Sequence, residues 1–137
     1  MTSDRGARLL EEVGAKRGYI LEMHRILAAA DPDFLEAYET FLGHAYLGER
    51  SLDRRTKEFV YTAVLTAIAA PRDQVIAHMN AAVTAGATPL ELLEVLEQIL
   101  PPAGVPRFIE GIEAWHEAFG ASDGSISKPM TEEGITE

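Results

Sequence analysis

The chain contains no cysteine among its 137 residues. Disulfide bonds, thiolate nucleophiles and thiolate metal ligands are therefore excluded, because each of them needs the sulfur atom. Thiol peroxidase and disulfide-exchange activities are excluded for the same reason. A chain of this length can bury roughly two-thirds of its unfolded surface, so one domain can fold without a covalent cross-link.

Basic residues are also scarce, with 12 Lys and Arg against 22 Asp and Glu, which gives a formal net charge of −10. Phosphate backbones are bound by concentrated positive charge, so we expect no nucleic acid as a partner. The charge remains negative when the acidic segment 121–137 is left out. An anionic substrate would have to be bound by a local group of Arg or Lys side chains, against the field of the whole protein.

Long hydrophobic runs are missing as well. The longest nearly apolar stretch, residues 59–71, is too short to span a bilayer and contains Tyr61, Thr62 and Thr66. The N-terminal segment carries acidic residues among its apolar ones, which is not the pattern of a signal peptide. We therefore expect a cytoplasmic protein with no membrane partner.

Residues that typically start or end helices occur along most of the chain. Thr88, Pro89 and Glu91 form the pattern of a capping box with proline in the first turn, and Asp31 before Pro32 is a second helix start. No stretch alternates with a period of two, so we predict an all-α fold, a compact bundle of about six to seven helices. The predicted helices are Asp4–Lys16, Tyr19–Ala30, Pro32–Leu47, Leu52–Ala70, Pro71–Ala85, Pro89–Leu100 (broken by Pro101, Pro102 and Gly104) and Val105–Phe119.

We predict a single domain over residues 1–120. The segment 121–137 is rich in Gly, Ser and acidic residues, and we expect it to be disordered. The predicted helix Leu52–Ala70 is apolar around most of its circumference, so it belongs either at the centre of a bundle or in a contact between subunits.

The region from Asp31 to Phe119 resembles the carboxymuconolactone decarboxylase family, whose fold is alkylhydroperoxidase-D-like. The resemblance is carried by an entry region, DPDFLEAYETFLGHAYLGERSLDRRTKE, by a histidine-bearing segment, AHMNAAVTAGATPLELLEVL, and by a closing helix, AGVPRFIEGIEAW. In the redox branch of this family a Cys-x-x-Cys pair precedes the histidine. Pro71 and Gln74 stand at those two positions, so the resemblance is to the non-redox branch.

The resemblance implies that His78 and Glu58 are the catalytic residues. From the residues alone, a histidine in mid-helix is more often a buried hydrogen-bonded side chain, and Glu58 at the head of a helix could simply pair with Arg54 or Arg55. A carboxylate that reaches an imidazole would fix its tautomer for proton transfer. The interval from Glu58 to His78 is one residue longer than in the redox branch, so the sequence leaves open whether Glu58 faces His78.

Substrate-binding residues are predicted beside this pair. Gln74 lies one helical turn before His78, and Thr62 lies one turn after Glu58. Arg72 and Arg107 are predicted to receive a substrate carboxylate, because the planar guanidinium matches that group. No spacing of His and acidic residues suggests a metal site.

The family resemblance implies a decarboxylase-like enzyme acting on a carboxylated unsaturated lactone of the 4-carboxymuconolactone type. The leaving carboxyl group is conjugated with the lactone carbonyl, so no cofactor is needed. The resemblance also implies a homotrimer or a homohexamer. Three alternatives stay open: another non-redox lyase, isomerase or cyclase for a lactone-like or polyketide metabolite, a non-catalytic oligomeric binding module, and a subunit that is active only with a partner.

Overall fold

The predicted all-α class is confirmed by the structure, a computed structural model that describes residues 3–120. Within these residues the chain contains no strand. The expected disordered segment 121–137 lies outside the described residues. The helices are α1 (Asp4–Arg17), α2 (Glu22–Ala30), α3 (Pro32–Leu42) with a π-helical turn after it (Gly43–Leu47), α4 (Arg54–Ala67), α5 (Arg72–Thr84), α6 (Pro89–Ala103) and α7 (Val105–Phe119).

The chain divides into two compact units, Met1–Arg50 and Ser51–Glu137. The first contains α1 to α3, and the second contains α4 to α7. The prediction of one domain over residues 1–120 stays a prediction. Among residues 3–120, none of the helices combines the length and the apolar character that crossing a bilayer requires.

The first unit packs an apolar core beside a buried polar cluster. Leu9, Ala28 and Leu35 form the core. Arg17 donates two hydrogen bonds to the carboxylate of Glu39, through Nε at 3.2 Å and a terminal nitrogen at 2.8 Å. This ion pair is almost fully shielded from water, so each charge compensates the cost of burying the other.

Two helix boundaries in the first unit differ from the prediction by more than one residue. The start of α2 lies at Glu22 rather than Tyr19, because Gly18 ends α1 in the left-handed region and Leu21 is the extended N-cap of α2. The Leu21 N–H donates to Nδ1 of His24 at 2.9 Å. The predicted third helix is regular only to Leu42, and its last residues form the wider π-helical turn.

The second unit is built around α5 and α6, whose buried residues Met79, Leu92 and Leu96 pack with α7. The predicted capping box is confirmed: the Glu91 N–H donates to Oγ1 of Thr88, and the Thr88 N–H donates to Oε1 of Glu91. The second carboxylate oxygen of Glu91 accepts from Arg55, so the same side chain joins the start of α6 to α4.

The prediction that α6 breaks at Pro101 is wrong. The helix runs through Pro101 and Pro102 to Ala103, and Gly104 ends it with φ 90° and ψ 166°, a conformation that essentially only glycine adopts. Each proline has a φ angle suited to a helix, and its missing N–H removes a single bond near the end of the helix. Both prolines are solvent-exposed, so the carbonyl groups they leave unpaired can be hydrated.

The arrangement of α4 is the reverse of an ordinary amphipathic helix. Its buried positions include Glu58, Thr62 and Thr66, one turn apart from each other. Val60 and Val64 on its outer face are 49% and 50% exposed, and Ile68 just beyond its end is 67% exposed. The polar face of α4 therefore points into the protein and an apolar face points out.

Helices α4 and α5 end with the same pair of hydrogen bonds. After α4, the Ala69 N–H donates to the Thr66 carbonyl at 3.2 Å and the Ala70 N–H to the Leu65 carbonyl at 2.9 Å, which is a Schellman motif. Ala69 has φ 60°, and among the described residues it is the non-glycine residue with positive φ. The corresponding residue after α5 is Gly86, with φ 102°.

We predict that Ala69→Gly raises the free energy of unfolding by roughly 1 kcal/mol, because the left-handed conformation is costly for a residue with a Cβ atom. Gly86→Ala is the matched reverse change, since a Cβ there would contact nothing within 4 Å. It should lower the free energy of unfolding by a similar amount. Urea denaturation of the two variants measures both values, and effects of the same sign would contradict the prediction.

We also predict that the first unit loses stability on acidification. Burial and the nearby charge of Arg17 lower the pKa of His24 below its ordinary value of 6.5. The unfolded chain therefore binds a proton at His24 at a pH where the folded chain does not. The contribution of His24 to the free energy of unfolding is therefore complete above about pH 6.5. It decreases as the pH drops below that value.

Urea denaturation between about pH 7.5 and about pH 5.5 tests this dependence. His24→Gln should flatten the slope of unfolding free energy against pH, whereas His116→Gln, at an exposed position, should keep it. An unchanged slope in the His24 variant would exclude His24 as its origin.

Candidate functional site

His78 and Glu58 are in direct contact. Nδ1 of His78 on α5 lies 2.7 Å from Oε2 of Glu58 on α4. The Glu58 side chain is 0% exposed and the His78 side chain 15% exposed. The interval that is one residue longer than in the redox branch therefore leaves Glu58 facing His78. A proton on Nδ1 that is donated to the carboxylate leaves Nε2 as the basic nitrogen of the neutral ring.

Glu58 has a second partner, the guanidinium of Arg54. Nε of Arg54 lies 3.0 Å from Oε1 of Glu58, one turn earlier on α4, and the arginine side chain is 38% exposed. Each carboxylate oxygen thus has its own partner, as a buried carboxylate requires. Arg55, the other arginine that the sequence allowed as a partner, pairs with Glu91 instead. Glu58 therefore pairs with an arginine and contacts His78 at the same time.

Local sequence explains how Glu58 is presented to α5. Asp53 caps α4 by accepting a hydrogen bond from the Thr56 N–H at 2.7 Å, which fixes the start of the helix and hence the direction of Glu58. The chain reverses at Ala69, and Pro71 is the N-cap of α5. The register of the two helices then brings His78 opposite Glu58.

Tyr61 is a site residue that the sequence prediction did not include. Its ring stacks on the imidazole of His78 with a centroid distance of 4.9 Å and an interplanar angle of 21°. It limits the orientations that the imidazole can adopt. The signal in the sequence is its position three residues after Glu58, which puts both side chains near the same face of α4.

Of the four predicted substrate-binding residues, Thr62 lies on the buried face of α4. It is fully buried, and its hydroxyl oxygen has no hydrogen-bond partner. The Thr66 hydroxyl donates to the Thr62 carbonyl at 2.7 Å, not to the Thr62 hydroxyl. Gln74 lies on α5 one turn before His78, and it is solvent-exposed.

The other two, Arg72 and Arg107, line one pocket of about 280 Å³ in the second unit. His78 and Glu58 are not among its lining residues. The structure therefore brings the two arginines together, but at a pocket that the His78–Glu58 pair does not line. The pocket is lined by Thr66, Ala69, Ala70, Arg72, Val75, Arg107, Glu110, Gly111 and Ala114.

The two arginines differ in their ion pairs. Arg72 contacts the carboxylates of Glu110 at 3.1 Å, Glu113 at 2.7 Å and Glu117 at 3.6 Å. The hydrogen bonds to Glu110 and Glu113 raise the pKa of the Arg72 guanidinium above its ordinary value. Arg107 is half-buried, and no ion pair involves it within the described residues.

Comparison with known proteins agrees with this architecture. No curated protein matches the chain. A crystal structure of a protein from Burkholderia xenovorans LB400, named as a candidate carboxymuconolactone decarboxylase, superposes with a TM-score of 0.70 at 20% sequence identity, over 84% of this chain and 89% of that one. The likeness shows the same fold.

The family model for carboxymuconolactone decarboxylases matches residues 32–117, which run from the start of α3 into α7. That range includes Glu58, His78 and both pocket arginines. The match therefore supports the resemblance noted from the sequence, and the chain belongs to the carboxymuconolactone decarboxylase family.

Proposed function

We propose that this protein is a cofactor-independent decarboxylase acting on a carboxylated unsaturated lactone of the 4-carboxymuconolactone type, with His78 as general acid and base. The observation that carries the proposal is the 2.7 Å contact between His78 and the buried Glu58. In a member of this family, that contact gives the histidine one defined tautomer and one direction for proton transfer.

The chemistry needs one proton and a stabilised oxyanion. The bond between the ring carbon and the leaving carboxyl group breaks, and its electron pair flows through the ring double bond onto the lactone carbonyl oxygen. Carbon dioxide leaves and a dienolate forms. Protonation of the dienolate at carbon then restores the carbonyl group, so a hydrogen atom replaces the lost carboxyl group.

His78 supplies that proton from Nε2 when its ring is doubly protonated. Glu58 is the positioning residue, because its carboxylate holds Nδ1 of the ring. Arg54 compensates the negative charge of Glu58 through its 3.0 Å contact. Tyr61 supports the ring from its face.

We predict that His78→Ala lowers turnover by roughly a hundredfold or more, the usual contribution of a positioned acid or base. The assay follows ultraviolet absorbance and carbon dioxide release with freshly generated 4-carboxymuconolactone. His116→Ala is the matched control, because it removes an exposed imidazole from α7 and should leave turnover unchanged.

Glu58→Gln should lower kcat and shift the pH profile of kcat, since an amide holds the ring without the negative charge. A purely structural role of Glu58 would lower the stability of the variant and leave that profile in place. Turnover by His78→Ala at the wild-type rate would remove His78 from the mechanism.

A second candidate function is binding without catalysis. It is favoured by one observation, that the pocket lined by Arg72 and Arg107 does not include His78. Under this alternative the His78–Glu58 pair only joins α4 to α5. It predicts that wild-type protein and His78→Ala both release no carbon dioxide and both bind a small carboxylate.

We further propose that the protein is a homotrimer or a homohexamer, with the outer face of α4 in the subunit contact. Val60, Val64 and Ile68 follow one another at intervals of four residues, and all are at least 49% exposed. Contiguous exposed apolar side chains on one helical face favour burial against a partner. Closed point-group symmetry is the usual arrangement for identical subunits, and the choice of a trimer or a hexamer rests on the family resemblance.

We predict that Val64→Lys converts the oligomer to a smaller species, because a charge at the centre of this face is costly to bury. Sedimentation equilibrium measures the mass. Gln98→Lys, which adds the same charge at an exposed position of α6, is the control and should retain the wild-type mass. A monomeric wild-type protein would contradict the assembly outright.

A further inference from the structure

The pocket beside α7 has the dimensions and the lining of a site for a small organic anion. Its volume is about 280 Å³, near the lower end of pockets that hold small molecules. The wall is made mostly of small residues, including Ala69, Ala70 and Ala114. These leave open space beside the two arginine side chains.

Gly111 lets α7 pack closely against α4 and α6 at the wall of the pocket. A Cβ atom at this position would lie 2.9 Å from Cγ2 of Thr66 and 2.9 Å from Cδ2 of Leu96. Only a glycine allows so close an approach without displacing those side chains. Gly111 therefore contributes only backbone atoms to the lining of the pocket, and Arg107 lies one helical turn before it.

The two arginines of the pocket differ in the charged side chains around them. The guanidinium of Arg72 contacts three carboxylates, those of Glu110, Glu113 and Glu117. A ligand carboxylate at Arg72 would have to displace or face these acids. Arg107 has no such competitor: within residues 3–120 it takes part in no ion pair, and it is half-buried where solvent screening is reduced.

We propose that this pocket binds a small carboxylate, that Arg107 contacts the carboxylate, and that Arg72 does not. The guanidinium of Arg107 can offer two parallel N–H donors to the two oxygens. Arg72 instead neutralises the acidic side chains of α7, of which Glu110 also lines the pocket. This inference deepens the proposed function, and the choice of a dicarboxylate as probe rests on that function.

Isothermal titration of the full chain with cis,cis-muconate tests the proposal, and the dimethyl ester of muconate is the uncharged control. A salt concentration of about 0.15 M suppresses long-range effects of the acidic surface. Wild-type protein should bind the dianion and not the diester. Arg107→Gln should weaken binding by about tenfold or more, as expected for the loss of a hydrogen bond to a charged group.

Two further variants test how the other charged residues of the pocket affect the Kd for muconate. Arg72→Gln should change the Kd less than Arg107→Gln does, and Glu110→Gln should retain or tighten binding because it removes a negative charge from the wall. The proposal is overturned by any of three results: no binding of muconate by the wild type, equal binding of the diester, or a loss of binding confined to Arg72→Gln.

His78→Ala separates this inference from the proposed function, because His78 is not a lining residue. The variant should bind muconate with the wild-type Kd while its turnover is lost. Full turnover in His78→Ala together with weak binding in Arg107→Gln would refute the proposed chemistry and uphold the pocket. Lost turnover together with wild-type binding in Arg107→Gln would do the opposite.

Discussion

The burial of the Glu58 carboxylate is the constraint on which the second unit depends. An ionised carboxylate taken out of water without partners costs several kcal/mol, so a fully buried glutamate must be paired on both oxygens. Arg54 meets one oxygen from the same helix and His78 meets the other from α5. The first contact needs only helical spacing, but the second needs α4 and α5 to pack in one register. A shift of either helix by one residue would leave a buried charge unpaired.

The same constraint accounts for the inverted character of α4. Because Glu58, Thr62 and Thr66 occupy the inner face, the valines and the isoleucine of this region are left on the outer face. A helix whose inner face carries polar groups buries less apolar surface within its own subunit. Contact with further subunits would bury the apolar outer face of α4. The polar site and the proposed assembly are therefore linked through this helix.

Local signals in the sequence are sufficient for the fold class and place most helix boundaries within one residue of those observed. Asp31, Asp53 and the Thr88–Glu91 pair act within a few residues of themselves, so their capping roles can be predicted without knowledge of packing. The continuation of α6 through Pro101 and Pro102 was missed, because proline alone does not tell whether a helix ends there or loses a hydrogen bond near its end. The π-helical turn after α3 carries no signal of that kind.

The candidate site is only partly predictable, because its contacts join residues that lie far apart along the chain. The sequence selected Glu58 and His78 by resemblance, but it could not decide whether they meet, since that depends on the packing of α4 on α5. It grouped Arg72 with Arg107, whereas ion pairs to α7, far away in sequence, distinguish them. The stacking of Tyr61 on His78 cannot be predicted from the sequence, because it depends on the orientation of a ring on another helix.

The spacing of the polar groups on α4 limits how the pocket and the His78–Glu58 pair can serve one reaction. Glu58 contacts His78, Thr62 lies one turn on, and Thr66 lines the pocket after another turn. With a rise of about 1.5 Å per residue, the levels of Glu58 and Thr66 are roughly 12 Å apart along the helix. A ligand held by Arg107 receives a proton from His78 only if the ligand or bridging water covers that interval. The buried hydroxyl of Thr62, which has no hydrogen-bond partner, lies midway along this interval.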